Sequence, residues 1–238
     1  EARRTESIRR DFVANVSHEL KTPIGALALL AETMASGGDL AVTQPLAARM
    51  LREADRLTRI IDDLLDLSLI ETQESLERTP VGAAALVTEA VDRVRAQADA
   101  ADTPLLVTDA TPDLAVVCDR GQVVGAITNL LDNAVKYSDP GHTIECTVGR
   151  DDDRAIIAVR DHGIGIPARD LERIFERFYR VDRARSRATG GTGLGLSIVR
   201  HVADVHGGDV TVWSSEGEGS MFTLTLPLDA SSPAEEAS

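Results

Sequence analysis

Within NVSHELKTPIGAL, residues 15–27, an imidazole, a carboxylate and a hydroxyl fall close together and a proline follows at once. His18 and Thr22 are four residues apart and so share one face of a helix, and Glu19 is the sequence neighbour of the histidine. Imidazole is neutral near pH 7 and nucleophilic through one ring nitrogen. A carboxylate that takes the proton from the other nitrogen raises that nucleophilicity, and Glu19 is the candidate. Pro23 removes a helical hydrogen bond and clashes with the preceding turn, at ~3 kcal/mol. A helix with a purely structural role gains nothing from that; a bend beside a reactive face is the expectation here.

A second set of polar residues lies in ITNLLDNAVKYSD, residues 127–139. At ~100° per residue, Asn129, Asn133, Lys136 and Tyr137 fall on one stripe, and Ile127, Leu131, Ala134 and Val135 lie roughly opposite. Amides four residues apart can hold metal or phosphate oxygens, and an ammonium can meet phosphates. Two glycine segments follow. RDHGIGI sets Asp161, Gly163 and Gly165 at the end of an apolar run, and GGTGLGL sets Gly191, Gly193 and Gly195 directly before a helical one. Glycines let a backbone approach a phosphate, and a helix N-terminus offers free N–H groups and a positive dipole end. The order matches neither a strand–GxGxxG–helix dinucleotide site nor a GxxxxGK[ST] loop.

These groups need elements to hold them. Ile8, Phe12, Val16, Leu20, Ile24, Leu27, Ala31 and Met34 recur at steps of three or four and predict one long helix. ASGGDLAVTQP (35–45) predicts a break, after which Leu46, Met50, Ala54, Leu57, Ile61, Leu64 and Ser68 mark a second helix. A two-helix hairpin cannot bury both stripes alone, so a homodimer forming a four-helix bundle is expected. ETQESLERTP (71–80) predicts a linker. The pattern then turns to α/β: helices over 81–98, 121–137 and 194–205, and strands in PLLVTD, LAVVCD, HTIECTVGR, RAIIAVRD, DVTVWSS and SMFTLTLPL. The division expected is 1–75 for the hairpin, 76–229 for the α/β part and 230–238 for a disordered acidic tail.

Composition narrows the functions further. The 238 residues carry 25 basic and 39 acidic side chains, a net charge of −14. That balance argues against nucleic-acid backbones and anionic membrane surfaces as partners. No run approaches the ~20 apolar residues that span a bilayer. Cys118 and Cys146 sit in apolar, strand-like runs and read as ordinary buried thiols. The only lysines are Lys21 and Lys136, and both lie within the stretches singled out above.

SHELKTPIGAL, with Phe12 ahead of it, resembles the phosphoacceptor motif of sensor histidine kinases. NLLDNAVKYS, DHGIGI, RIFERFYRVD and GGTGLGL resemble, in order, the N, G1, F and G2 boxes of the same family's ATP-binding domain. The resemblance implies two domains, a helical hairpin dimerising into a four-helix bundle and the α/β sandwich shared with gyrase, Hsp90 and MutL. It implies phosphorylation on His18, Glu19 as general base, and Thr22 as positioner of a water for dephosphorylating a partner. ATP would be bound by Asn129, Asn133, Lys136, Tyr137, Asp161, Gly163, Gly165, Gly191, Gly193, Gly195 and Leu196, with Asp161 on the adenine amino group and Asn133 on Mg²⁺. Phe175, Phe178 and Tyr179 would belong to a lid, and Arg180, Arg183, Arg185 and Arg187 could approach the triphosphate.

The resemblance further implies transfer of the phosphoryl group to an aspartate of a response-regulator receiver. In general appearance it is nearest to phosphate-regulon sensors. The chain, which opens without methionine, would be the cytoplasmic portion of a membrane-anchored sensor kinase truncated at its N-terminus. The alternatives are a phosphatase-dominant protein or a degenerate nucleotide-binding scaffold. A gyrase- or Hsp90-like clamp ATPase would account for the second half of the sequence only.

Overall fold

The structure, a computed structural model, describes residues 2–36, 40–72, 76–109, 111, 114–181 and 191–229. The expected tail at 230–238 lies outside the described residues, as do Arg183, Arg185 and Arg187. Two long helices come first, α1 (Ala2–Ala35) and α2 (Leu40–Thr72), packed against each other. The break between them is shorter than the sequence suggests, because residues 40–45 are helical. Pro45 lies inside α2, past its first turn, so the carbonyl of Ala41 four residues before it has no helical N–H from this position. Helix α1 runs on through Pro23.

One partner helix covers only part of an amphipathic stripe. Pro23, Leu30, Arg56, Ile60 and Leu67 are buried, whereas Ile24 and Ile61, expected on the core stripes, are exposed together with Leu29, Leu51 and Leu65. Leu67 joins the core of the α/β part, and Leu64 packs beside it, so the end of α2 is anchored there.

Regular structure enters the expected linker from both ends, and its residues 73–75 lie outside the described residues. Helix α2 runs to Thr72, and Arg78–Gly82 forms β1, paired antiparallel with β3 (Ala115–Asp119) in a two-stranded sheet. Pro80 is tolerated because β1 is an edge strand. The main sheet has the order β2 (Leu105–Asp109), β4 (Ile144–Asp151), β5 (Arg154–Asp161), β7 (Gly219–Pro227), β6 (Asp209–Ser215). Only β2–β4 is parallel. Helices α3 (Ala83–Ala100), α4 (Arg120–Tyr137) and α5 (Gly195–Val205) supply the second layer.

Strand parity decides what faces that layer. On β5, Ala155, Ile157 and Val159 are buried, and on β7 so are Phe222, Leu224 and Leu226. The same parity carries one step further to Asp161, and a carboxyl group ends up among core residues. Cys118 and Cys146 are free and buried; burial pushes their thiols up to about 11 and about 12. Among the described residues no helix is long and apolar enough to cross a membrane.

His206, at the C-cap of α5, ties two of the helices together. Its Nδ1–H donates to the carbonyl of Val202 at 2.8 Å, and its Nε2 accepts the backbone N–H of Asp119 at 3.0 Å. Asp119 in turn caps α4 by accepting from Gln122 N–H. Burial above all, with Arg78 nearby, holds the imidazole below its ordinary pKa. A second proton would place a donor against the Asp119 N–H. The neutral form's stability contribution is therefore whole above about pH 6.5, the unfolded value. It is lost as pH falls from there through the depressed native value. The melting temperature of the wild type is expected to drop more between about pH 7 and about pH 5 than that of His206→Gln; parallel curves would show that His206 is not the group responsible.

Candidate functional site

Between the sheet's end and the helices lies a cavity of about 370 Å³. Its floor is the carboxyl of Asp161, 5% exposed, whose Oδ1 accepts from Gly163 N–H at 2.9 Å and Ser220 N–H at 3.2 Å. Both bonds fall on one oxygen, which leaves Oδ2 as an acceptor toward the cavity that Asp161 lines. Burial raises this carboxyl above the ordinary carboxylate range, against the two backbone donors that pull it down. Ile164, Ile166, Ile174 and Phe222 make the apolar walls.

Helix α4 presents Thr128, Asn129, Asp132, Asn133, Lys136 and Tyr137 to the cavity, while Ile127, Leu130, Leu131, Ala134 and Val135 are buried on its other side. Lys136 forms an ion pair with Asp132 one turn before it, and Gln97 Nε2 of α3 donates to the other Asp132 oxygen at 2.8 Å. The ammonium is thus held in place by a chain of side chains that reaches the neighbouring helix. Gly191, Gly193, Gly195 and Leu196 close the cavity at the start of α5.

Two glycines are there because nothing larger fits. A Cβ on Gly163 would run into the carbonyl of Tyr137, and Gly165, at φ +68°, would run into the carbonyl of Ser215. Gly163 itself does not line the cavity; it permits the close approach that sets the Asp161 loop. The two loops across the cavity are also interlocked. Phe178, at φ +63°, donates its N–H to the Gly193 carbonyl at 2.8 Å.

The aromatic segment is braced by stacking and hydrogen bonds. Tyr179 Oη donates to Asp170 at 2.7 Å beneath the Arg173 guanidinium, and Arg200 lies over the ring of the buried Phe175. Arg180 lines the cavity beyond it.

His18 is exposed on α1, and the Thr22 hydroxyl donates to the His18 carbonyl at 3.1 Å. Neither residue lines the cavity, and neither does Glu19. Glu19 nonetheless reaches toward it, because its Oε2 lies 3.4 Å from Arg56 Nη2 and 3.8 Å from Arg180 Nη1. The hairpin contributes to the cavity through α2, whose Arg59 and Asp63 line it; the Thr192 hydroxyl donates to Asp63 Oδ2 at 2.5 Å. Sequence reading singles out neither Arg59 nor Asp63, since both sit on an ordinary polar helix face. Asp132 could have been found from its i, i+4 spacing to Lys136; Ser220 carried no signal.

A buried acceptor, polar α4 side chains and glycine loops over such a sheet define an ATP-binding domain of the kind shared by histidine kinases, gyrase B and Hsp90. Comparison agrees. Residues 118–230 match the family described as histidine kinase-, DNA gyrase B- and HSP90-like ATPase, and residues 8–73 match the His Kinase A (phospho-acceptor) domain. The sensor-like histidine kinase SenX3 of Mycobacterium tuberculosis is 49% identical over 226 residues, 94% of this chain and 55% of the relative. This chain thus spans about half the length of that curated relative.

Among solved structures, the mycobacterial sensor histidine kinase MprB is 31% identical, with a TM-score of 0.56, over 63% of this chain and 97% of that one. The histidine kinase ThkA, solved in complex with the response regulator protein TrrA, shares the fold at 23% identity and a TM-score of 0.77, over 96% of this chain and 64% of that one. The chain belongs to the sensor histidine kinases of two-component systems.

Proposed function

We propose that the chain is an ATP-dependent protein-histidine autokinase that phosphorylates His18 and passes the phosphoryl group to an aspartate of a response regulator. The observation that carries this is the pairing, in one chain, of an exposed His18 next to a half-buried Glu19 with a cavity built around Asp161 and α4. Asp161 Oδ2 accepts from the adenine amino group, and Asn129, Lys136 and the loops of Gly191, Gly193 and Gly195 take the phosphates, with Tyr137, Gly165 and Leu196 beside the nucleotide. One ring nitrogen of His18 attacks the γ-phosphorus. The bond to the β–γ bridging oxygen breaks with its electrons going to ADP, and the proton on the other ring nitrogen goes to Glu19. Positioning and charge neutralisation supply most of the rate.

Mg²⁺ fits this site as a single-side-chain ligand set. Asn133, in the cavity wall, would supply a hard amide oxygen, the type of donor the ion takes alongside substrate phosphates. The ion would neutralise phosphate charge as the phosphoryl group leaves. The regulator is the partner that ThkA's complex suggests, its aspartate carboxylate taking the phosphoryl group as the N–P bond breaks. The exposed apolar side chains of the hairpin, Ile24, Leu29, Leu51, Ile61 and Leu65, support a homodimer bundle, with 1–75 as the dimerisation unit and 76–229 as the catalytic one. Thr22, held beside His18 by its bond to the His18 carbonyl, supports a phosphatase activity toward the same regulator.

The test is incubation of the purified chain with γ-labelled ATP and Mg²⁺. Label that is labile in acid and stable in alkali is the expected result. No label from a chain that still binds nucleotide would replace the autokinase with the scaffold or phosphatase-dominant reading, which a phosphorylated receiver domain would then separate.

A further inference from the structure

Arg180 serves two places at once. Its side chain is 8% exposed, it lines the cavity beside Gly191, and its Nη1 lies 3.8 Å from Oε2 of Glu19 on α1. That same carboxylate oxygen receives Arg56 Nη2 from α2 at 3.4 Å, while Arg56 Nη1 turns to Glu53 at 3.4 Å. The acid next to His18 is therefore shared between a guanidinium that belongs to the hairpin and one that belongs to the cavity. Thr192 and Asp63 fasten the far side of the same junction.

Arg180 meets Glu19 only at 3.8 Å while it also lines the cavity, so a triphosphate that draws the guanidinium inward stretches an already long contact to the carboxylate. We propose that Arg180 couples the two sites: nucleotide phosphates and Glu19 compete for it. Phosphates in the cavity draw Arg180 inward and release Glu19 to take the proton from His18, while Arg56 keeps the acid oriented. This rests on the reading of the cavity as the ATP site and of Glu19 as the base. By reciprocity the competition runs both ways, and Glu19 must weaken nucleotide binding although it touches no nucleotide. A merely structural ion pair has no such consequence.

The experiment is calorimetric titration of the whole chain with the non-hydrolysable ATP analogue AMP-PNP and Mg²⁺. Glu19→Gln is expected to bind about fivefold more tightly than the wild type. In an Arg180→Gln background, or Arg180→Met should that fold better, the same Glu19 exchange is expected to change nothing. Glu53→Gln removes an equal charge that is paired with Arg56 and lines no part of the cavity, and is expected to leave affinity unchanged. Equal affinities for wild type and Glu19→Gln overturn the competition and leave the kinase reading intact. So does an equal gain in both Arg180 backgrounds, which would be a plain field effect. A wild type that takes up no AMP-PNP overturns the nucleotide site itself.

Discussion

His18→Gln is expected to abolish acid-labile phosphorylation, a fall of at least ~10⁴-fold, while nucleotide binding stays within about twofold of the wild type. The amide nitrogen of glutamine is not a nucleophile, so no other atom at this position can take the phosphoryl group. The fold has no reason to object. His18 is exposed, and glutamine is the better helix former of the two. The hydrogen bond from the Thr22 hydroxyl goes to the backbone carbonyl and survives the exchange. Since His18 does not line the cavity, affinity for nucleotide should not notice. The check is a paired measurement on one preparation, labelling beside calorimetry. Label that persists in the variant would move the acceptor elsewhere in the chain.

How much of this could be read beforehand depends on whether the physics is local. The α4 face was legible because a period of 3.6 separates Asn129 and Asn133 from Ile127 and Leu131 within a few residues. The inward direction of Asp161 follows from the alternation that buries Ile157 and Val159 on β5. What escaped depends on distant partners. Arg59 and Asp63 matter only because α2 comes to rest beside the loop of Thr192, 129 residues from Asp63.

His206 gave no hint either, since its acceptor role is defined by the N–H of Asp119, 87 residues away. The element bounds that moved did so for a related reason. Arg78–Gly82 is too short to show alternation, contains a proline, and becomes a strand only by pairing with β3. Ile24 and Ile61 looked like core because periodicity reports that a face is apolar without saying which surface covers it.

The second large effect concerns the nucleotide. Asp161→Asn is expected to weaken binding of ADP and AMP-PNP by ~100-fold, about 3 kcal/mol, with the fold unharmed. The carboxyl uses Oδ1 for two backbone N–H groups, from Gly163 and Ser220, and asparagine can keep both with its own oxygen. Keeping them fixes the amide: its NH₂ must then point where Oδ2 did, into the cavity. Flipping it would instead oppose two backbone donors with a third, so the protein offers no escape.

The adenine amino group, itself a donor, then meets a donor with water excluded, and both are left unsatisfied. Stability should hold or rise slightly, because burial already disfavours charge at this position. Guanine presents an acceptor, O6, where adenine presents that amino group. The same substitution is therefore expected to narrow the preference for ATP over GTP, by weakening the first more than the second. Calorimetry with both nucleotides on wild type and variant decides it, and an unchanged ADP affinity would remove Asp161 from the base-reading role.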